Sequence, residues 1–217
     1  MKQETQKNFR IAMCLMAAFA LWTAAVGFVD VQAIGPQGSA VGFAKLNGFF
    51  HNLTGVHMSL YLITDWLSLI PLGFVPGFAL LGLVQWIKRR KLLSVDYSIL
   101  VLGGFYVVVM AVFVLFELFV VNYRPVLIDG QLEASYPSST TMLVMCVMPT
   151  AMMQLNARLR NQALRRCVTF LMAAFMVFMV IGRLVSGVHW LTDIVGGALL
   201  SAGLVMMYRA FLGLEST

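Results

Sequence analysis

Charge is scarce in this chain. Only 11% of its 217 residues are Asp, Glu, Lys or Arg, against about 25% in soluble domains. With 60% hydrophobic residues and a mean hydropathy of +0.87, that scarcity excludes an ordinary soluble domain and indicates an integral membrane protein. Cysteine is scarce too. Cys14, Cys146 and Cys167 are odd in number and scattered through apolar segments, which argues against a disulfide framework or a zinc site. Internal repeats, low-complexity tracts and a separate soluble domain are also missing. The fifteen methionines read as flexible packing filler and not as a metal-binding array.

The charge that is present is clustered. The net charge of +6 does not indicate nucleic-acid binding, because the basic residues form three groups: Lys2/Lys7/Arg10, Lys88–Lys91 and Arg158/Arg160/Arg165/Arg166. Each lies beside a long apolar run, and positive charge beside a span marks the cytoplasmic side. A spanning helix needs about 20 mostly apolar residues. The runs Ile11–Val29, Met58–Ile87, Ile99–Val121, Ser138–Leu155, Val168–Val185 and Trp190–Leu212 therefore predict an all-α bundle of six transmembrane helices in a single domain over 1–217, with both termini cytoplasmic. The first run also fits a cleavable signal peptide, with Val31-Gln32-Ala33 as a faint cleavage site, but the span is preferred. Met58–Ile87 contains Pro71 and Pro76. It is too long for one upright helix and too short for two, so orientation assigns it a single tilted or kinked crossing. Residues 30–57 fall outside the membrane, with Val41–Phe50 either a surface-lying helix or a packed loop.

Against this background the polar residues stand out. Arg183, His189 and Asp193 sit at the ends of the fifth and sixth spans, where ionisable groups are costly and point to function. His189 and Asp193 are four apart and share a helical face, so the aspartate can orient the imidazole and raise its nucleophilicity. The third span ends outside at Asn122-Tyr123-Arg124-Pro125. The fourth begins there with Tyr136-Pro137-Ser138-Ser139-Thr140-Thr141, a helix start whose free N–H groups suit an anion. Three distant segments thus converge on one membrane face. Cations, N–H donors and an in-line nucleophile form the set that phosphoryl transfer needs.

These residues carry a resemblance. The chain resembles the type 2 phosphatidic acid phosphatase (PAP2) superfamily, whose pattern is Lys-x6-Arg-Pro, Pro-Ser-Gly-His and Ser-Arg-x5-His-x3-Asp. The third block reads here Gly182-Arg183-x5-His189-x3-Asp193, the second Pro137-Ser138-Ser139-Thr140, and the first Glu117-x6-Arg124-Pro125. The resemblance implies a six-helix membrane lipid phosphatase. In it His189 attacks phosphorus to form a phosphohistidine, Asp193 orients His189, Arg124 and Arg183 hold the phosphate, and Ser138, Ser139 and Thr140 complete the cradle. It implies no metal and no cofactor. Three positions depart from the pattern: Thr140 replaces the histidine that protonates the leaving group, Glu117 replaces a phosphate-binding lysine, and Gly182 replaces a serine.

Three explanations follow from the departures. The leaving group could be a good one, as in a lipid pyrophosphate, the reading toward which the missing acid leans. Another group could supply the proton, with Glu117, His57 and His51 as auxiliary candidates. Or the activity could be altered, leaving a lipid-phosphate binding protein or a lipid phosphotransferase. For Glu117 an ion pair with Arg124 or Arg183 is preferred. For His57 and His51 the preferred role is an interfacial hydrogen bond. Asp65 is expected to be hydrogen-bonded inside the bundle, with a substrate contact as the alternative. Ser138 and Ser139 fit helix capping and phosphate binding equally. Gly197 and Ser201 fit a small-residue packing face. The expectation is a multi-pass protein of the plasma (inner) membrane. It hydrolyses a lipid phosphate or pyrophosphate at the extracytoplasmic face, with the lipid bilayer and the lipid substrate as its partners.

Overall fold

The computed structural model describes residues 2–214; residue 1 and residues 215–217 of the expected domain lie outside the described residues. Eight α-helices are present among them: α1 (Lys2–Phe28), α2 (Ala44–Thr54), α3 (Met58–Leu67), α4 (Leu69–Arg89), α5 (Tyr97–Leu118), α6 (Ser139–Arg158), α7 (Gln162–Val185) and α8 (Leu191–Leu212). Five stretches are long and apolar enough to cross a membrane: α1, α3 with α4, α5, α7 and α8. The chain is a multi-pass membrane protein with the expected all-helical architecture.

The remaining expected span, α6, is long enough but less apolar, and its surroundings explain why. It packs against α4, α5, α7 and α8 and buries Thr140, Thr141, Thr150 and Gln154. A helix sheathed by other helices does not face lipid, so it can carry polar groups once they are hydrogen-bonded. Thr150 donates to the Cys146 carbonyl at 2.8 Å, and Gln154 donates to the Ser98 carbonyl at 3.1 Å and to the Tyr208 hydroxyl.

The Met58–Ile87 run is one kinked crossing, as its length requires. The break falls at Ser68, between α3 and α4. Pro71 has no N–H to donate to the carbonyl of Leu67, which ends α3. Pro76 lies inside α4. The run 41–50, left open between helix and loop, leads into α2. Buried Asn47 docks that helix by bonding to Gly42, to the Thr192 hydroxyl at 3.0 Å and to the Thr192 N–H at 3.2 Å.

The two ends of the bundle differ in charge. One end gathers the start of α1, the ends of α4, α6 and α8, and the starts of α5 and α7, and so brings the three basic clusters together. The other end gathers the starts of α6 and α8, the ends of α1, α5 and α7, and the loops that carry Arg124 and His189. Thr23 of α1 bonds the Tyr136 hydroxyl there at 2.7 Å, and Trp22 bonds the Thr192 carbonyl at 3.1 Å.

Two glycines set the spacing at this end. Gly187 has φ +68°, and a Cβ on it would lie 1.9 Å from the Gly55 carbonyl oxygen; the α7–α8 loop and the α2–α3 loop touch through it. A Cβ on Gly182 would lie 2.8 Å from Thr64 of α3. The glycine in place of the pattern's serine lets α3 pack directly on α7. Gly187→Ala is expected to destabilise the protein by about 2 kcal/mol or more, combining a left-handed conformation with a backbone clash; thermal unfolding in detergent measures it.

Candidate functional site

Residues 122–135, between α5 and α6, fold back on themselves. Tyr123 pairs with Ala134 and Ile128 with Gln131, around Asp129-Gly130, both with positive φ. An Asp-Gly pair of this kind is the usual signal for a two-residue hairpin turn. The Arg124 N–H donates to the Glu133 carbonyl at 3.0 Å, and the Ser135 N–H to that of Asn122 at 2.9 Å. Side chains alternate along extended backbone. Asn122 and Arg124 on one arm, with Glu133 and Ser135 on the other, therefore share a face.

That face meets the start of α8. Asp193 is fully buried. Its Oδ2 accepts from the Ser135 hydroxyl at 2.5 Å and from the Trp190 N–H at 2.9 Å, and its Oδ1 accepts from the Asn122 amide at 3.4 Å. The Trp190 bond is a helix cap, made by a carboxylate in the first turn where the helix dipole favours it. His189 lies in the loop just before α8. Its Nδ1 is 3.0 Å from the Ser135 oxygen and 3.8 Å from the aspartate. The expected His–Asp contact is thus relayed by a serine. Because the serine hydrogen is given to the carboxylate, its oxygen accepts from Nδ1–H, and Nε2 is left without a proton. Nε2 is buried and has no hydrogen-bond partner in the protein. Burial pushes the imidazole down to about 4, Arg124 and Arg183 push the same way, and Asp193 opposes them.

Both arginines reach this place. The Arg183 side chain is only 2% exposed, and its Nη2 donates to Asp65 at 2.8 Å and to the Thr140 hydroxyl at 2.6 Å. Arg124 lies 3.1 Å from Glu133 through Nε. Tyr61 sits under both guanidiniums, 4.8 Å from that of Arg183 and 5.8 Å from that of Arg124. Buried nitrogens remain unbonded: Nε and Nη1 of Arg183, and Nη1 of Arg124, whose Nε meets Glu133 as an ion pair without hydrogen-bond geometry. Buried donors are normally bonded, so unbonded guanidinium N–H groups beside a bare imidazole nitrogen form a pocket suited to an anion.

The ion pairs differ from the expected ones. Glu117 was expected to pair with Arg124 or Arg183, but their carboxylates are Glu133 and Asp65. The physical reason is that α5 stops at Leu118, so Glu117 and Arg124 do not share a helical face. Glu117 instead lines a small cavity with Ser135, Tyr136 and Ser139. Asp65 was expected inside the bundle, yet its side chain is 56% exposed and holds Arg183. Ser138 caps α6 by accepting from the Thr141 N–H, and its own N–H donates to the Asp193 carbonyl. His57 bonds the Thr54 carbonyl through Nε2 at 2.9 Å. His51 packs its ring on Trp190 at 5.5 Å, and burial lowers its pKa.

Sequence reasoning missed Ser135, Glu133, Asn122 and Tyr61. The Asp129-Gly130 signal marks the hairpin but not its register: counted evenly from the Ile128–Gln131 pair, Glu133 would oppose Val126, and two extra residues in the first arm bring it opposite Arg124 instead. Tyr61 carried no comparable signal.

An apolar cavity of about 270 Å³ between α4, α5 and α6 ends at Ser139 and Thr140. It shares Val75, Tyr106 and Met110 with a larger cavity of about 530 Å³ that runs between α4 and α5 to Trp86 and Leu92. Together they form an apolar groove along the bundle from the arginine end to the basic end.

The sequence model of the PAP2 superfamily matches residues 72–214. Among solved structures, the fold is similar to that of the first transmembrane PAP2 type phosphatidylglycerolphosphate phosphatase from Bacillus subtilis. The TM-score is 0.61 at 18% identity, covering 94% of this chain and 96% of that one. No curated protein sequence matches this chain.

The relay sets a measurable expectation. In ¹⁵N spectra of histidine-labelled protein, His189 should be the Nδ1–H tautomer and remain neutral until about pH 5, since burial disfavours the charged form. Titration near the ordinary value of about 6.5 would contradict the geometry.

Proposed function

Since the chain belongs to the PAP2 superfamily, we propose that it is a membrane lipid phosphatase that hydrolyses a lipid phosphate or lipid pyrophosphate through a phosphohistidine on His189. The observation that carries the proposal is the pairing of a bare, buried Nε2 with unbonded guanidinium nitrogens of Arg124 and Arg183. The lipid chain lies in the α4–α5 groove with its phosphate toward Thr140. The guanidiniums take the equatorial oxygens and stabilise the charge of the transition state. Nε2 attacks phosphorus, the lipid oxygen departs, and the imidazole becomes positively charged with its Nδ1–H held by Ser135 over Asp193. Water then cleaves the phosphorus–nitrogen bond and restores the histidine. Thr140 accepts from Arg183 and serves as a positioning residue; Ser139 and Glu117 line the adjoining cavity, with Glu117 an auxiliary candidate.

The membrane orientation belongs to the same proposal. The basic clusters at the far end from His189 favour a cytoplasmic position for that end, with both termini there. The site then opens on the extracytoplasmic face of the plasma membrane.

Detergent-solubilised protein is to be assayed for phosphate release from phosphatidate, phosphatidylglycerophosphate, diacylglycerol pyrophosphate and undecaprenyl pyrophosphate. Release from at least one is expected, together with an acid-labile, alkali-stable phosphoryl label on the protein. Both are expected to vanish in His189→Ala; unchanged turnover in that variant sinks the reading. Label passing into a second lipid instead of free phosphate would identify a transferase, and binding without release would identify a carrier. Ser135→Ala is expected to slow turnover on the order of 10²-fold, short of the roughly 10⁴-fold loss when a triad's orienting acid is replaced; equal rates in the variant and the parent protein would exclude the relay.

A further inference from the structure

The charges around the site carry no positive excess: two arginines stand against three carboxylates. Arg124 and Arg183 supply two positive charges. Glu133 lies 3.1 Å from the first and Asp65 lies 2.8 Å from the second, while Asp193 stands behind His189. His189 adds no positive charge, since burial holds it down to about 4. The positions where the resembled pattern has lysine and histidine are Glu117 and Thr140. Tyr61 lies under the guanidiniums; of the nearby histidines, His57 at the start of α3 is bonded to Thr54 and His51 packs against Trp190. Two cations already countered by carboxylates attract a highly charged anion weakly, and the like charges repel it.

We propose that the site selects a singly protonated phosphate monoester over the dianion and over pyrophosphate, and that the substrate's own proton goes to the leaving oxygen. This rests on the phosphatase reading above. In the step, the His189 Nε2–phosphorus bond forms as the phosphorus–oxygen bond to the lipid breaks. The proton on a phosphoryl oxygen moves to the departing oxygen, giving a neutral lipid alcohol. The product is an imidazolium carrying a dianionic phosphoryl group, so the net charge of −1 is unchanged. Thr140 cannot act as an acid near neutral pH, and this route does not require one. Asp65 and Glu133 are specificity-determining residues, exposed by 56% and 42%, that discriminate by charge at the pocket rim.

The test is the binding of inorganic phosphate to full-length detergent-solubilised protein by calorimetry, from about pH 5.5 to 8.5, spanning the second ionisation of phosphate. Sulfate serves as a dianion that does not titrate in this range. Phosphate affinity is expected to fall about tenfold per pH unit above that ionisation, with sulfate at least about tenfold weaker than phosphate at pH 6. The double variant Asp65→Asn/Glu133→Gln keeps an acceptor for each arginine and should flatten the slope and tighten sulfate binding about tenfold. His57→Gln should keep the slope. Phosphate affinity that is level or rises with pH, sulfate binding as tight as phosphate at pH 6, or loss of the slope in His57→Gln would each overturn the proposal, as would an unchanged slope in the double variant. If the double variant does not fold, the phosphate and sulfate comparison in the parent protein decides alone. The titration needs no turnover, so its failure is separate from a failure of phosphate release, which tests the phosphatase reading.

Discussion

Every oxygen of buried Asp193 is engaged, and the site end of the bundle depends on it. Its carboxylate caps α8 through the Trp190 N–H and receives Ser135 and Asn122 from the hairpin, while its carbonyl receives the Ser138 N–H at the start of α6. One residue thus joins the α7–α8 loop, the hairpin and the first turn of α6. A buried carboxylate without partners is very costly, whereas one with several donors is stabilised in its charged form. The same charge orders Ser135, and through Ser135 it sets the tautomer of His189.

A second constraint acts on Arg183. A guanidinium this deeply buried requires a counter-charge. Asp65, Thr140 and Tyr61 meet it from α3 and α6. This arrangement depends on the close contact of α3 with α7 at Gly182. The departure from the resembled pattern at Gly182 and the arrival of Asp65 at the site are therefore two aspects of one packing arrangement. The inner helix α6 belongs to the same solution. Its first turn supplies Thr140 to the site, and its neighbours shield its polar groups from lipid, which is why its composition is the least membrane-like of the long helices.

Much of the architecture was legible from apolar run lengths, because lipid demands continuous hydrophobic helices wherever it touches the chain. The kinked Met58–Ile87 crossing followed from orientation and length, and its break beside Pro71 from the missing N–H. The Arg183, His189 and Asp193 block was legible as ionisable residues in an apolar chain, but the helical face expected for His189 and Asp193 does not form, because α8 begins at Leu191, after an extended Trp190. Glu117 was given the wrong partner because α5 ends at Leu118 and Arg124 lies in the hairpin beyond it, where Glu133 stands opposite. Ser135 and Glu133 were overlooked because their importance lies in a cross-strand register that two extra residues between Arg124 and Ile128 shift away from the one the Asp129-Gly130 turn alone would give. Asp65 was placed on the right helix but given the wrong surroundings, since a helix's own pattern does not say which neighbour it faces.

The sequence by itself determined that this is a helical membrane protein carrying an Arg–His–Asp block characteristic of a phosphoryl-transfer site, because hydropathy and short-range spacing are local properties. The tertiary structure decided which carboxylate meets which arginine, that a serine stands between His189 and Asp193, and that an apolar groove runs up to Thr140. Those outcomes depend on contacts between residues far apart in the chain, some more than 100 positions from each other, such as Asp65 and Arg183. Only close packing of the helices specifies such contacts.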